Sequence, residues 1–198
     1  SLDLMKITVA HEYFHAVQRS YSPGNSNLFF WELLSTWFED VAYPSINDYL
    51  NWSYFTYLEN PEVDFSNYVP AEGYSLALFG HYLTQTYDET DNQNSNIMRL
   101  IWENFNGDTI EDALFTIEDV LSSQYNSSFS KAWSDFNVRN IFNSEFEDMN
   151  NNIYYYEDQK YIPSLSGFGS TQFFNSSGTV FSIVTERGEV EIKPYELI

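Results

Sequence analysis

The sequence predicts a mainly α-helical fold with a short C-terminal β segment. Three observations predict it. Apolar residues recur at helical spacing in successive blocks from residue 2 to about 142. Polar and Pro/Gly-containing stretches, such as Ser22-Pro23-Gly24-Asn25 and Asn60-Pro61, separate those blocks. After residue 150 the pattern changes to short runs between Gly/Ser turns. We therefore divide the chain into a helical region, 1–160, and a small β segment, 161–198, or the opening of a β domain.

The elements follow in order. Residues 2–20 read as a mostly buried helix, with Leu4, Ile7, His11, His15 and Gln18 along one side and Met5, Val9, Ala16 and Val17 on another. A second helix over 27–42 carries Leu28, Phe29, Phe30, Trp31, Leu33, Leu34, Trp37, Phe38 and Val41. A third is expected over 46–59, stopped by Asn60-Pro61, and a fourth over 71–87, where close packing accounts for Gly73 and Gly80. Helices over 97–105, 110–123 (capped by Asp108 or Thr109) and 128–142 complete the helical part. Strands are expected at 171–174, 179–184 and 189–192.

Composition narrows the function. With 43% hydrophobic and 19% aromatic residues, the 198-residue chain can bury a substantial core. Eight Lys and Arg against 29 Asp and Glu give a formal charge of -21, which repels phosphate backbones and anionic lipid and argues against nucleic-acid partners. There is no cysteine, so disulfides, iron–sulfur centres and thiolate nucleophiles are excluded, and a transition metal must be held by His and carboxylate. No apolar run is long enough for a membrane span. The chain opens within its first helix, as expected of a piece of a longer protein.

The string His11-Glu12-Tyr13-Phe14-His15 carries the chemistry. Four residues apart on a helix, both imidazoles reach one Zn²⁺. Glu12 beside them can take a proton from water and return it to a leaving amine. The alternative is two histidines satisfied by local hydrogen bonds. Glu32 is the candidate third ligand. His15 lies about five residues before the first helix ends and Glu32 about five after the second begins, so in an antiparallel hairpin they stand at similar height, at about 1.5 Å rise per residue. A carboxylate between Trp31 and Leu33 is costly to bury unless a metal, a His or a Tyr meets it. Glu39, two turns on, and Asp40 are candidates to hold the far ring nitrogens of His11 or His15. Tyr74 is the candidate oxyanion donor, with Tyr43, Tyr68 and His81, the third histidine, as alternatives.

His11-Glu12-x-x-His15 followed by Glu32 resembles the gluzincin metallopeptidases. The longer string His11 to Gln18, with Trp31-Glu32, Ser35-Thr36, Phe38-Glu39-Asp40, Tyr43-Pro44 and Asn47-Asp48-Tyr49-Leu50, is similar to a family of secreted bacterial metalloproteases of myxobacterial type. Tyr74-Ser75 resembles the Tyr-Gly that opens a later apolar helix in that family. The resemblance implies a zincin-like helical catalytic subdomain lacking its N-terminal sheet. It also implies Zn²⁺ on His11, His15 and Glu32, Glu12 as general base, a peptide or protein substrate, and a secreted or cell-surface location. An N-terminal segment or second chain would complete the cleft. Leu33-Leu34 departs from the small residues usual after the ligand Glu. The competing functions are a non-catalytic exported protein- or glycan-binding module on the same scaffold, and a structural surface protein holding Ca²⁺, for which no Asp-rich loop speaks.

Overall fold

The computed structural model describes residues 1–22, 28–50, 58, 70–88, 94–107, 109–140, 143 and 157–162, and the backbone of 181–185 and 188–192. Helix α1 (Leu2–Tyr21) starts where the Ser1 hydroxyl accepts from the Leu4 N–H at 3.2 Å. One stripe of α1 is buried: Ile7, Ala10, His11, Phe14 and Gln18. Leu2, Leu4, Met5, Val9 and Tyr13 are exposed. The expectation of a mostly buried first helix is corrected accordingly, because only the stripe facing α2 finds partners.

Helix α2 (Leu28–Ala42) is the centre of the fold. Phe29, Phe30, Trp31, Leu33, Leu34 and Trp37 are all buried, and a helix apolar around most of its circumference must be enclosed on several sides. Its neighbours are α1, the 3₁₀ segment Pro70–Leu76 and helix α3 (Ala77–Tyr87). The predicted helix over 71–87 is thus two elements. The reason is contact: a Cβ on Gly73 would collide with the Phe29 carbonyl and lie 3.0 Å from the Glu32 Cβ. Tighter 3₁₀ winding at a residue without a side chain lets this backbone lie directly on α2. Gly80 meets α2 in the same way, its would-be Cβ 2.9 Å from Trp37 Cγ.

Helix α4 (Asn96–Asn104) is capped by Ser95, which accepts from the Met98 N–H. Thr109, rather than Asp108, caps α5 (Ile110–Gln124), in a reciprocal box with Asp112. In α6 (Phe129–Asn140), Ala132, Phe136 and Asn140 are buried. Phe79 of α3 touches Tyr82, Phe129, Trp133 and Phe136, locking α3 to α6 within one core. The 3₁₀ turn Glu157–Tyr161 ends the described helical part. Among the described residues no helix is long and apolar enough to cross a membrane.

The expectation of a zincin-like subdomain with a C-terminal β segment is corrected. Every residue whose burial is described lies in a helix, a turn or a connection, so the described core is built without strands. Among the described residues no sheet covers α1, whose outward face is exposed. Among the described residues of the Gly/Ser-punctuated tail, β1 (Phe181–Thr185) pairs antiparallel with β2 (Gly188–Ile192) as a backbone ladder, with Ile183 opposite Val190. Turn signals and alternation specify such local pairing, but a two-stranded ladder is not a layer that can organise a core. The predicted strand 171–174 and most of the predicted helix 46–59 lie outside the described residues.

Because Phe79 is fully buried and joins two helices through three aromatic contacts, Phe79→Ala is expected to lower the unfolding free energy by about 3–5 kcal/mol. Urea denaturation followed by tryptophan fluorescence measures this. A loss below about 1 kcal/mol would show that α6 is not part of the same cooperative unit.

Candidate metal centre

The contacts between α1 and α2 run in opposite order along the two chains. Gln18 meets Trp31, His15 meets Glu32 and Ser35, and His11 meets Glu32 and Glu39. This is the antiparallel hairpin that the ligand spacing anticipates. Residues 11, 15 and 18 occupy one stripe of α1, and residues 32, 35 and 39 face them from α2.

At the centre lies the Glu32 carboxylate. Its Oε2 is 2.9 Å from His11 Nε2 and 3.6 Å from His15 Nε2. The two rings stand edge to face, with centroids 4.6 Å apart. One ligand atom from each of His11, His15 and Glu32 falls within 4.8 Å of the others. Around a tetrahedral ion with bonds of about 2.1 Å, donor atoms sit about 3.4 Å apart. The observed separations bracket that value, so the three side chains can coordinate a divalent metal ion. Their two-nitrogen, one-oxygen set suits zinc and several other first-row ions.

The outer ring nitrogens are also held. His11 Nδ1 is 2.6 Å from Glu39 Oε1, and His15 Nδ1 is 2.7 Å from Gln18 Oε1 and 3.0 Å from Ser35 Oγ. Anchoring each ring at Nδ1 directs both Nε2 atoms to the same point. Two carboxylates, the half-buried Glu32 and the buried Glu39, match the charge of one divalent cation.

The electrostatics follow from burial and pairing. Burial favours the neutral His11 ring, but hydrogen bonds to Glu32 and Glu39 and the charge of both carboxylates outweigh it and raise its pKa from 6.5 to about 9. His15 is opposed by burial in the same way and raised by its hydrogen bonds to Glu32 and Gln18. Burial pushes the Glu32 carboxyl up, yet hydrogen bonds from His11, His15 and Tyr74 bring it from 4.5 down to about 2. Glu39 is raised by burial, partly offset by His11. Burial and the hydrogen bond to Glu32 raise the Tyr74 phenol, which stays protonated.

The remaining predicted residues fall as follows. Glu12 is exposed on α1 beside His11, and its charge acts on Tyr74. The Tyr74 ring stacks on His11 with centroids 5.7 Å apart, and its hydroxyl donates to Glu32. Glu39 takes the predicted place behind His11. Asp40 does not: its Oδ2 lies 3.9 Å from His81 Nε2, and both residues are buried. Tyr43 is at the surface, and Tyr68 lies outside the described residues. Leu33 and Leu34 enter the core. Sequence reasoning assigned no role to Gln18 and Ser35. The signal for Gln18 was present, a long amide one turn after His15 on the ligand-bearing side of α1, whereas Ser35 depends on the inter-helix register. A separate cavity of about 400 Å³ is lined by Tyr82, Tyr87, Tyr125, Lys131 and Arg139 among others. Its tyrosine hydroxyls are engaged by Asp135, Ser127 and Asp88.

No protein-family profile, curated protein or solved structure matches this chain.

The pairing sets a pH dependence for the metal-free protein. His11 has a raised pKa in the folded state, so its stabilisation is complete below pH 6.5 and is lost as pH rises through about 9. Glu32 is depressed, so its share is present above pH 4.5 and lost as pH falls towards about 2. The melting temperature of chelator-treated protein should therefore fall between pH 6.5 and 9, and His11→Ala should flatten that slope. An equal slope in both proteins would show that the ring carries no such linkage.

Proposed function

We propose that this protein hydrolyses peptide bonds using zinc held by His11, His15 and Glu32. The observation that carries the reading is convergence: two imidazoles anchored at Nδ1 present Nε2 to one carboxylate oxygen, with a free-standing Glu next to the first ligand in sequence. When bound, zinc acidifies water and polarises a carbonyl. Glu12, exposed at the edge of the cluster, is the group to accept the water proton and deliver it to the departing amine. Tyr74 holds its phenolic proton and stands over His11, so it is the donor at hand for the developing oxyanion. The hydroxyl rests on Glu32 here, and that hold weakens once the carboxylate serves as a ligand. The resemblance of residues 11–50 to gluzincin peptidases supports zinc and a peptide substrate over other metals and esters, and carries with it a secreted or cell-surface setting.

A second reading has its own support. His11 is hydrogen-bonded at both nitrogens, to Glu39 and Glu32, so the cluster is also a self-satisfied buried ion-pair network. That arrangement favours a non-catalytic exported module that binds protein or glycan.

Two variants separate the readings. After zinc loading and gel filtration, the wild type should retain one equivalent of metal (about one per chain) and Glu32→Ala should lose it. Full retention would remove Glu32 from the ligand set. In a quenched-fluorescence peptide assay, Glu12→Gln should keep its zinc and lose about 10²–10⁴ in turnover. Unchanged turnover would reject Glu12 as base, and a zinc-loaded wild type without turnover would leave the binding module standing.

A further inference from the structure

The two imidazoles are held by different chemistry. Behind His11 stands a carboxylate, Glu39, which accepts from a proton on Nδ1, 2.6 Å away. Behind His15 stands an amide, Gln18, which has both a donor and an acceptor end and could in principle favour either tautomer. What settles its orientation is the third partner. Gln18 is fully buried, and its Nε2 lies 3.0 Å from the carbonyl oxygen of Trp31. A carbonyl oxygen only accepts, so the NH₂ end must face Trp31 and Oε1 must face His15. Ser35 Oγ, 3.3 Å from Oε1, donates to the same oxygen and reinforces this sense. An oxygen acceptor 2.7 Å from Nδ1 requires a proton on Nδ1. The neutral ring then has its lone pair at Nε2; the Glu32 carboxylate oxygen facing that atom pulls towards the other tautomer, but from 3.6 Å, against 2.7 Å for the Gln18 oxygen at Nδ1.

We propose that Gln18 is a positioning residue that selects the Nδ1–H tautomer of His15 and so presents its Nε2 lone pair to the metal. It has a second effect. The Trp31 carbonyl belongs to the peptide bond that leads into Glu32, so one buried side chain fixes a ligand ring on α1 and the backbone of the third ligand on α2. A neutral amide does this without adding a third carboxylate to a centre where Glu32 and Glu39 already balance a divalent ion. A hydroxyl donates or accepts with equal ease, so Ser35 alone cannot make the selection.

The proposal rests on the metal-binding reading, but its test does not need metal. Long-range ¹H–¹⁵N correlation spectra of the metal-free wild type, at a pH high enough to leave the ring neutral, should show His15 as Nδ1–H. Observation of the Nε2–H form would overturn the proposal without any variant. In Gln18→Leu the Nε2–H form should appear, and the zinc dissociation constant, measured by chelator competition, should rise about 10–100-fold. Gln18→Glu, which keeps an acceptor for Nδ1–H, should keep the wild-type tautomer. A folded Gln18→Leu that stays wholly Nδ1–H, with zinc affinity within about twofold of the wild type, would also overturn it. Zinc bound by neither protein, with the tautomer still switching between them, would sink the metal reading and support the tautomer assignment.

Discussion

The Glu32 carboxylate, half-buried between two imidazoles and a phenol, is the interaction on which the arrangement of this protein depends. An unpaired charge in that position would be expelled or neutralised. It persists because two elements deliver three partners to it: His11 and His15 from α1, and Tyr74 from the 3₁₀ segment. The same contacts fix the register of α1 on α2. A slide of α1 by one helical turn would withdraw both imidazoles at once, so the register of the hairpin and the geometry of the centre are a single constraint.

Around that constraint the rest of the helical part acts as a mould. Trp31 and Leu33 flank Glu32 and are buried in the aromatic core, so the helix that carries the carboxylate cannot rotate without moving the core. On the other side, Gly73 lets backbone press against Phe29 and Glu32, which places Tyr74 over His11. Here a missing side chain positions a functional one: the close approach comes from the absence of a Cβ, and the neighbouring phenol benefits from it.

The overall charge sets the electrostatic surroundings. A chain with 29 carboxylates and eight cations draws divalent cations towards its surface and repels anions. Exposed carboxylates bind such ions weakly because water competes for them. The cluster differs in having nitrogen donors, burial and anchored outer nitrogens, which turn diffuse attraction into a defined donor set. The pair Asp40 and His81 shows that acid–imidazole proximity alone does not make such a centre: it is buried in the same fold, but no third donor converges on it among the described residues.

The sequence by itself determined the α-helices that bear the cluster and the donor types it brings together. His11 and His15 share a face because a helix repeats every 3.6 residues, and Glu32 belongs opposite them because helix lengths and a short turn bound the height of each residue. These are local quantities, written in consecutive residues. Only the tertiary structure decided that Glu39 rather than Asp40 stands behind His11. Adjacent residues on a helix point about 100° apart, and it is the packing of α2 that selects which one faces α1. Only the tertiary structure showed Pro70–Leu76 as a 3₁₀ segment, since that winding answers to a contact with α2 some forty residues earlier in the chain. The β tail shows the complementary limit. Alternation and Gly/Ser turns record which backbone groups pair, and whether a pair becomes a layer of the core depends on surfaces elsewhere in the chain; the described core is built without strands.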